Sequence, residues 1–384
     1  MSDDWHGWYQ NNPGSGHQPT EAYRDAPANR AGAWPSQPPV RSAPGGGEPQ
    51  RWDLGGGGGR RRRFWGQPGR RGRRIALIIG TVVVVLIAGT VGTYFWLNGK
   101  LNKTVTLPAT ALTSAGTNWL ITGSDSRAGL SRTERDALHV GSDQGTLNSD
   151  SIMLLHLGSG RPVLISIPRD SYVEIPGHGR NKLNAALAFG GANLLIQTVE
   201  NATGLKIDHY MGIGFGGLVA VVNQIGGVPI CLKTAIHDSY SGVNLSAGCH
   251  NLNGNQALAF VRDRHSFATE DLQRIQDQRA FLSALLKKAT SPGVYLNPFT
   301  ALPFGSTAAG SMSVDTGTSL LDLVHAGSAL RDPETGTVPI ANSNYYTNAG
   351  DSVLWNSTKA NELFNALKSD SAIPKGLLGG TTTG

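Results

Sequence analysis

Eight arginines between Arg60 and Arg74 run straight into an uncharged apolar stretch, Ile75 to Leu97, and this junction decides the layout of the whole chain. As a helix rising about 1.5 Å per residue, the stretch reaches roughly 35 Å, enough to cross a bilayer core of about 30 Å. Arginine beside a span stays on the cytoplasmic side, so residues 1–74 are expected inside and everything after Asn98 outside. Tyr94, Phe95 and Trp96 stand where an aromatic belt anchors the outer end. A cleaved signal peptide would carry a shorter apolar region followed by a small-residue site. The expectation is therefore one uncleaved, single-pass anchor in the cell membrane, carrying a large external domain.

Charge divides at the same place. Residues 1–74 hold 12 Arg and 6 Asp+Glu, which leaves 21 Lys+Arg and 21 Asp+Glu for the rest of the chain. The basic excess belongs to the tail, where it suits anionic lipid headgroups beside the span better than it suits nucleic acid. The tail is poor in aliphatics and crowded with Gly, Pro, Ser and isolated Trp, so it reads as disordered. Only two cysteines occur, Cys231 and Cys249. In an oxidising compartment they suggest one disulfide, with two buried thiols as the alternative.

Beyond a polar spacer over residues 98–117, strand and helix patterns alternate, which argues for an α/β sandwich with a mixed or parallel sheet. Strands are predicted at Asn118–Gly123, Ser151–Leu157, Pro162–Pro168, Ile207–Ile213 and Val228–Leu232. Helices are predicted at Asn181–Asn201, Phe215–Gln224, Asn255–Asp263, Glu270–Ala289, Thr318–Arg331 and Ser357–Ser369. The Pro- and Gly-rich section Ser291–Gly310 reads as a long surface loop, and the Gly/Thr-rich end after Lys375 as frayed. Gly212, Gly214 and Gly217 satisfy G-x-G-x-x-G, with Asp238 some twenty residues on. The helix that follows is too short for a dinucleotide site, so these glycines are read as packing devices.

Four polar clusters fall at the ends of apolar elements, where loops assemble sites on an α/β sheet. They are Gly123–Arg127, Asn148–Ser151, Ile167–Asp170 with Arg180–Asn184, and Val261–His265 with Asp271, Arg274 and Gln278. The last three residues are spaced i, i+3, i+7 and share one helix face. Arginines gathered with aspartates, and no activated nucleophile, point to an oxygen-rich anion held with a divalent metal.

These residues carry a resemblance. GSDSR, NSDSIMLLHL, LISIPRD, RNKLNAALAFGG, IGGVPICL and LNGNQALAFVRDRHSFATEDLQRIQDQ, in this order, resemble the LytR–CpsA–Psr family, and the cysteine pair and Trp/Gly/Pro-rich tail are similar to its actinobacterial members. The resemblance implies an α/β/α sandwich with a catalytic core over 118–290, the remainder of the external domain over 291–384, and a hydrophobic groove for a prenyl chain. Leu183–Ile196 and Leu218–Val222 are candidates for that groove or for plain core.

The implied activity is that of a phosphotransferase moving a glycopolymer from a polyprenyl-pyrophosphate carrier to peptidoglycan, with hydrolysis of the same donor or a non-catalytic scaffold as rivals. By the resemblance, Asp125 and Asp150 hold magnesium (or manganese), and Arg169 contacts the pyrophosphate. Arg127, Arg262, Arg264, Arg274, Gln278 and Lys182 fall at further phosphate-binding positions. Asp271 falls at a polar position of the same site, and either Asp125 or Asp271 would take the acceptor proton. Many members carry arginine where this chain has Asn148. Arabinogalactan and teichoic-acid-like or capsular polymers are the main candidate cargoes.

Overall fold

The computed structural model describes residues 70–127, 130–137, 140, 148–263 and 270–378, without the side chains of Glu134, Ala137, Tyr295 and residues 270–279. Residues 1–69 of the tail expected to be disordered, and the frayed end beyond residue 378, lie outside the described residues; residues 70–74 of that tail are not disordered but form the first turn of α1.

The described chain opens with α1 (Arg70–Asn98), β1 (Asn102–Val105), β2 (Thr117–Ser124), α2 (Arg132–Ala137), β3 (Ser149–Leu157) and β4 (Val163–Ile167). Next come β5 (Tyr172–Ile175), β6 (Gly179–Lys182), α3 (Ala185–Thr203), β7 (His209–Ile213) and α4 (Phe215–Gln224). Then follow β8 (Val228–Leu232), β9 (Ile236–Asp238), β10 (Val243–Leu245), β11 (Gly248–Leu252), α5 (Gly254–Arg262) and α6 (Glu270–Ala289). The last elements are α7 (Pro292–Tyr295), α8 (Pro298–Ser311), β12 (Met312–Asp315), α9 (Leu320–Ala329), β13 (Glu334–Thr337), β14 (Ile340–Thr347), β15 (Gly350–Trp355) and α10 (Ser357–Lys368).

Seven strands form one mixed sheet in the order β1-β12-β7-β2-β3-β4-β13. Alternation along each strand sends side chains to opposite faces. Leu120, Leu154 and Ile165 pack with α3 and α10 on one face. Trp119, Met153 and Leu164 pack with α6 and α9 on the other. Helices on both faces make the α/β/α sandwich expected from the sequence. A satellite core unites β8–β11 with α4, α5 and α6. Within it Cys231 and Cys249 face each other across β8 and β11 and are joined by the expected disulfide.

Several elements depart from the sequence reading. Residues 98–117 are not only spacer, because β1 pairs in parallel with β12 at the sheet edge. The sheet likewise takes β12 and β13 from beyond residue 290. Ser291–Gly310 is not a loop but α7 and α8. Two of its three prolines mislead because Pro292 and Pro298 each sit in the first turn of a helix, where a missing N–H costs nothing, while Pro303 is held inside α8. The helix expected from Asn181 starts at Ala185, since residues 179–182 pair with 172–175 as a hairpin.

Candidate functional site

The sheet lays three of the four polar clusters along one edge. β2 ends at Ser124, antiparallel β3 starts at Ser149, and β4 ends at Ile167, with Gly123 opposite Ser151 and Ile152 opposite Ile167. Asp125 and Arg169, just past these ends, and Asp150, at the start of β3, therefore share a rim. Main-chain bonds fix the loop: Asp125 N–H donates to Asn148 O at 3.0 Å, and Asn148 N–H returns to Asp125 Oδ1 at 2.8 Å. Asn148 thus uses its backbone to aim Asp125.

Arg169 is clamped. Its Nη1 donates to Asp150 Oδ1 at 2.9 Å and its Nε to Asp170 Oδ2 at 3.2 Å. Lys182, brought in by the β5–β6 hairpin, lies with Nζ 3.2 Å from Asp170 Oδ1. Asp170 is thus a bridge between two cations, a role the sequence reading passed over although it follows Arg169 directly. Arg127 is on the same rim, and its buried Nε has no hydrogen-bond partner among the described residues. A buried guanidinium donor facing a cavity is suited to an anion.

Arg262 comes from the last turn of α5, whose start is fixed by a capping box: Asn253 Oδ1 accepts from Gln256 N–H while Gln256 Oε1 accepts from Asn253 N–H. Its guanidinium sits over the Phe215 ring, 5.3 Å from the centroid. Arg264 and the side chains of Asp271, Arg274 and Gln278 lie outside the described residues, although α6 spans the last three positions.

The charged rim opens onto a cavity of about 970 Å³ whose lining runs from Asp125, Asp150, Arg169 and Lys182 to purely apolar residues. Met153 and Met211 form its floor on the sheet, while Leu218, Leu285, Ala308 and Leu323 from α4, α6, α8 and α9 enclose it. Of the two groove candidates, Leu218 and Val221 line the cavity. The stretch 183–196 instead contributes Leu183, Leu187, Leu195 and Ile196 to the core on the opposite sheet face. α8 and α9 supply much of the wall, and only a test of which apolar helix face lacks a partner would have revealed it.

The G-x-G-x-x-G glycines serve close approach. A Cβ on Gly214 would meet Ser126 O at 3.0 Å, and one on Gly217 would meet Ser311 O at 2.5 Å. Asp238 caps its own turn, its Oδ1 accepting from Tyr240 N–H at 2.9 Å. Among the described residues no three His, Cys, Asp or Glu side chains converge as a ready-made metal cage. Asp125 and Asp150 nevertheless fit an ion of the magnesium type, which takes one or two carboxylates and completes its shell with phosphate oxygens and water.

Residues 98–369 match the LytR_cpsA_psr family. The chain belongs to that family. It is 44% identical over 313 residues to the probable cell wall biosynthesis protein LcpB of Corynebacterium glutamicum, covering 79% of this chain and 75% of LcpB. It is 36% identical over 155 residues to TagT of Bacillus subtilis, named a polyisoprenyl-teichoic acid–peptidoglycan teichoic acid transferase, covering 39% of this chain and 48% of TagT. Its fold is shared with a LytR-Csp2A-Psr enzyme from Actinomyces oris at a TM-score of 0.55 and 22% identity, over 70% of this chain and 96% of that one. As a LytR_cpsA_psr member it also carries α1, long and apolar enough to cross a membrane.

Proposed function

We propose that this protein is a phosphotransferase that moves a glycopolymer from a polyprenyl-pyrophosphate carrier to a muramic acid hydroxyl of peptidoglycan, working on the outer face of the membrane that α1 spans. The observation that carries the reading is the continuity of the site: a rim of arginine, lysine and aspartate opens directly onto a deep apolar cavity. A lipid-linked pyrophosphate has those two halves in that order. Membership of the family and the roles for which its relatives are named support the same reading.

In this reaction the acceptor oxygen forms a bond to the sugar-proximal phosphorus, the bond from that phosphorus to the bridging oxygen breaks, and polyprenyl phosphate leaves. Arg169 holds the pyrophosphate, with Asp150 and Asp170 fixing its guanidinium in one orientation. Arg127, Lys182 and Arg262 neutralise the remaining oxygens as charge moves to the leaving group. Asp125, aimed by the Asn148 backbone, takes the hydroxyl proton. Magnesium, held by Asp125 and Asp150, would supply Lewis-acid neutralisation of the phosphate oxygens. The prenyl chain occupies the cavity, so a water-insoluble donor is bound without exposing its tail.

The test is reconstitution of the full-length protein with a short polyprenyl-pyrophosphate glycan, peptidoglycan fragments and magnesium, read by mass spectrometry. A phosphodiester-linked glycan on muramic acid is expected. Free glycan phosphate alone would replace transfer with hydrolysis, and bound but unchanged donor would leave a scaffold.

A further inference from the structure

Outside α1, nine large hydrophobic side chains are exposed among the described residues, and five of them fall on two neighbouring segments: Leu296, Phe299 and Leu302 before and along α8, and Leu321 and Val324 on α9. Phe299 is 88% exposed. Apolar side chains gathered this way mark a surface that meets something other than water.

What meets them follows from α1. Asn98, the last residue of that helix, accepts a hydrogen bond through Oδ1 from Leu320 N–H at 3.0 Å, at the start of α9. Leu97 reaches α8, where a Cβ on Gly305 would lie 3.4 Å from both of its methyl carbons. The outer end of the span is therefore packed between the helices that carry the exposed residues. Gly305, Leu320 and Val324 also line the cavity. A basic group stands at the same end of the span: Lys100 sits 5.8 Å from the Trp96 ring centroid at the end of α1.

We propose that the collar formed by 296–302 and 321–324 seats in the outer leaflet of the bilayer that α1 spans, so that the cavity end lined by α8 and α9 opens toward lipid. The occupant is the lipid surface itself, because a helix that leaves the membrane at Asn98 cannot hold α8 and α9 far from it. Apolar side chains at the acyl boundary with a lysine at the headgroups are the arrangement of an interfacial segment. The proposal rests on the membrane-spanning reading of α1, and it extends the lipid-donor reading by giving the prenyl chain an entry route that avoids water.

The experiment uses the full chain with single substitutions Phe299→Cys, Leu321→Cys, Tyr346→Cys or Val84→Cys, each carrying an environment-sensitive fluorophore. The native cysteines stay unlabelled in their disulfide. Tyr346 is 82% exposed on the β14–β15 hairpin, whose Trp355 packs on the opposite sheet face. The proteins are reconstituted in phosphatidylcholine–phosphatidylglycerol vesicles containing nitroxide lipids and no polyprenyl donor. Shallow nitroxides should quench positions 299 and 321 by at least about twofold while leaving 346 unchanged. Position 84 should respond to deep nitroxides. Quenching at 84 with none at 299 and 321 would overturn the collar while leaving the span intact. No quenching at 84 would remove the span and the collar together.

Discussion

Arg169 and Asp150 are joined at 2.9 Å across the ends of β4 and β3, so the cation expected to hold phosphate and a carboxylate expected to hold metal form one unit. Neither is deeply buried, the two side chains being 19% and 25% exposed. The pair therefore contributes little to stability, and its part in the proposed function is to hold the Arg169 guanidinium in one orientation.

Arg169→Ala should lower kcat of glycopolymer transfer by about 10²- to 10³-fold, the usual loss when one aimed donor to a charged transition state is removed. Its melting temperature should stay within a few degrees of the parent, which calorimetry will check. A variant that keeps full transfer activity would remove Arg169 from the site.

Asp170 touches Arg169 and Lys182 and acts through them. Asp170→Asn should lower kcat by about tenfold, less than Arg169→Ala, since the cations remain but lose their common brace. Because the residues share one network, Asp170→Asn combined with Arg169→Ala should lose less than the two single losses together, the remaining loss coming through Lys182. Additive losses would mean that Asp170 works independently of Arg169.

The cavity makes a claim about chain length. Ala308 sits in its wall on α8, so Ala308→Phe should obstruct the tail and leave the charged rim untouched. For a long-chain donor KM should rise by about tenfold or more, and for a donor with a short chain it should change little. Equal effects on both donors would point to a distorted fold, which the melting temperature would reveal.

Much of this site was legible because its polar clusters interrupt apolar runs, and antiparallel pairing of β2 with β3 and β3 with β4 then forces those interruptions to one edge. The clusters that hold Asp125, Asp150 and Arg169 stood out for that reason, whereas the choice of these residues, and of Lys182 on the β5–β6 hairpin, came from the family resemblance. The wall of the cavity was not legible in the same way. Leu183–Ile196 and Leu218–Val222 have the same apolar character, and only the side of the sheet each helix packs on separates core from lining. α8 escaped notice because Pro298 at its first turn looks like loop punctuation. The strands β1, β12 and β13 are four residues each, too short to show an alternation.

His209 gives the domain a pH dependence away from the site. Its ring stacks on Trp119 with centroids 4.4 Å apart, and Nδ1 lies 3.4 Å from Asp315 Oδ1. Burial disfavours the charged imidazole, but the Asp315 hydrogen bond and the charges of Asp315, Asp322 and Asp208 outweigh it and raise the pKa above 6.5. Burial also opposes the Asp315 charge, yet hydrogen bonds from His209, Thr318 and the Tyr210 N–H bring its pKa below 3.8. A raised histidine contributes stability that is complete below its unfolded value and fades as pH rises through the folded one. A lowered aspartate contributes stability above its unfolded value that fades as pH falls through the folded one. The excess melting temperature of the parent over His209→Gln should therefore be largest near about pH 5.5 and shrink as the pH is raised above neutrality. A difference that grows with pH would reverse the assigned sign.

The Cys231–Cys249 bridge makes the last prediction. It joins residues 18 apart in the chain, and a loop of that size corresponds to about 3 kcal/mol of lost unfolded-state entropy. The bridged strands β8 and β11 pack in the satellite core with Phe281 and Leu285 of α6, two residues that also line the cavity. Removing the bridge by Cys231→Ser with Cys249→Ser should therefore do two things. Stability by denaturant unfolding should fall by about 3 kcal/mol. Amide hydrogen exchange should rise first in residues 228–252 and in the second half of α6, with the central strands β2 and β3 unchanged until global unfolding. The cavity wall is thus tied to the redox state of the compartment: under reduction the donor's KM should rise before the melting transition is reached. Uniform loss of protection across the sheet would instead show that the satellite core and the sheet unfold as one unit.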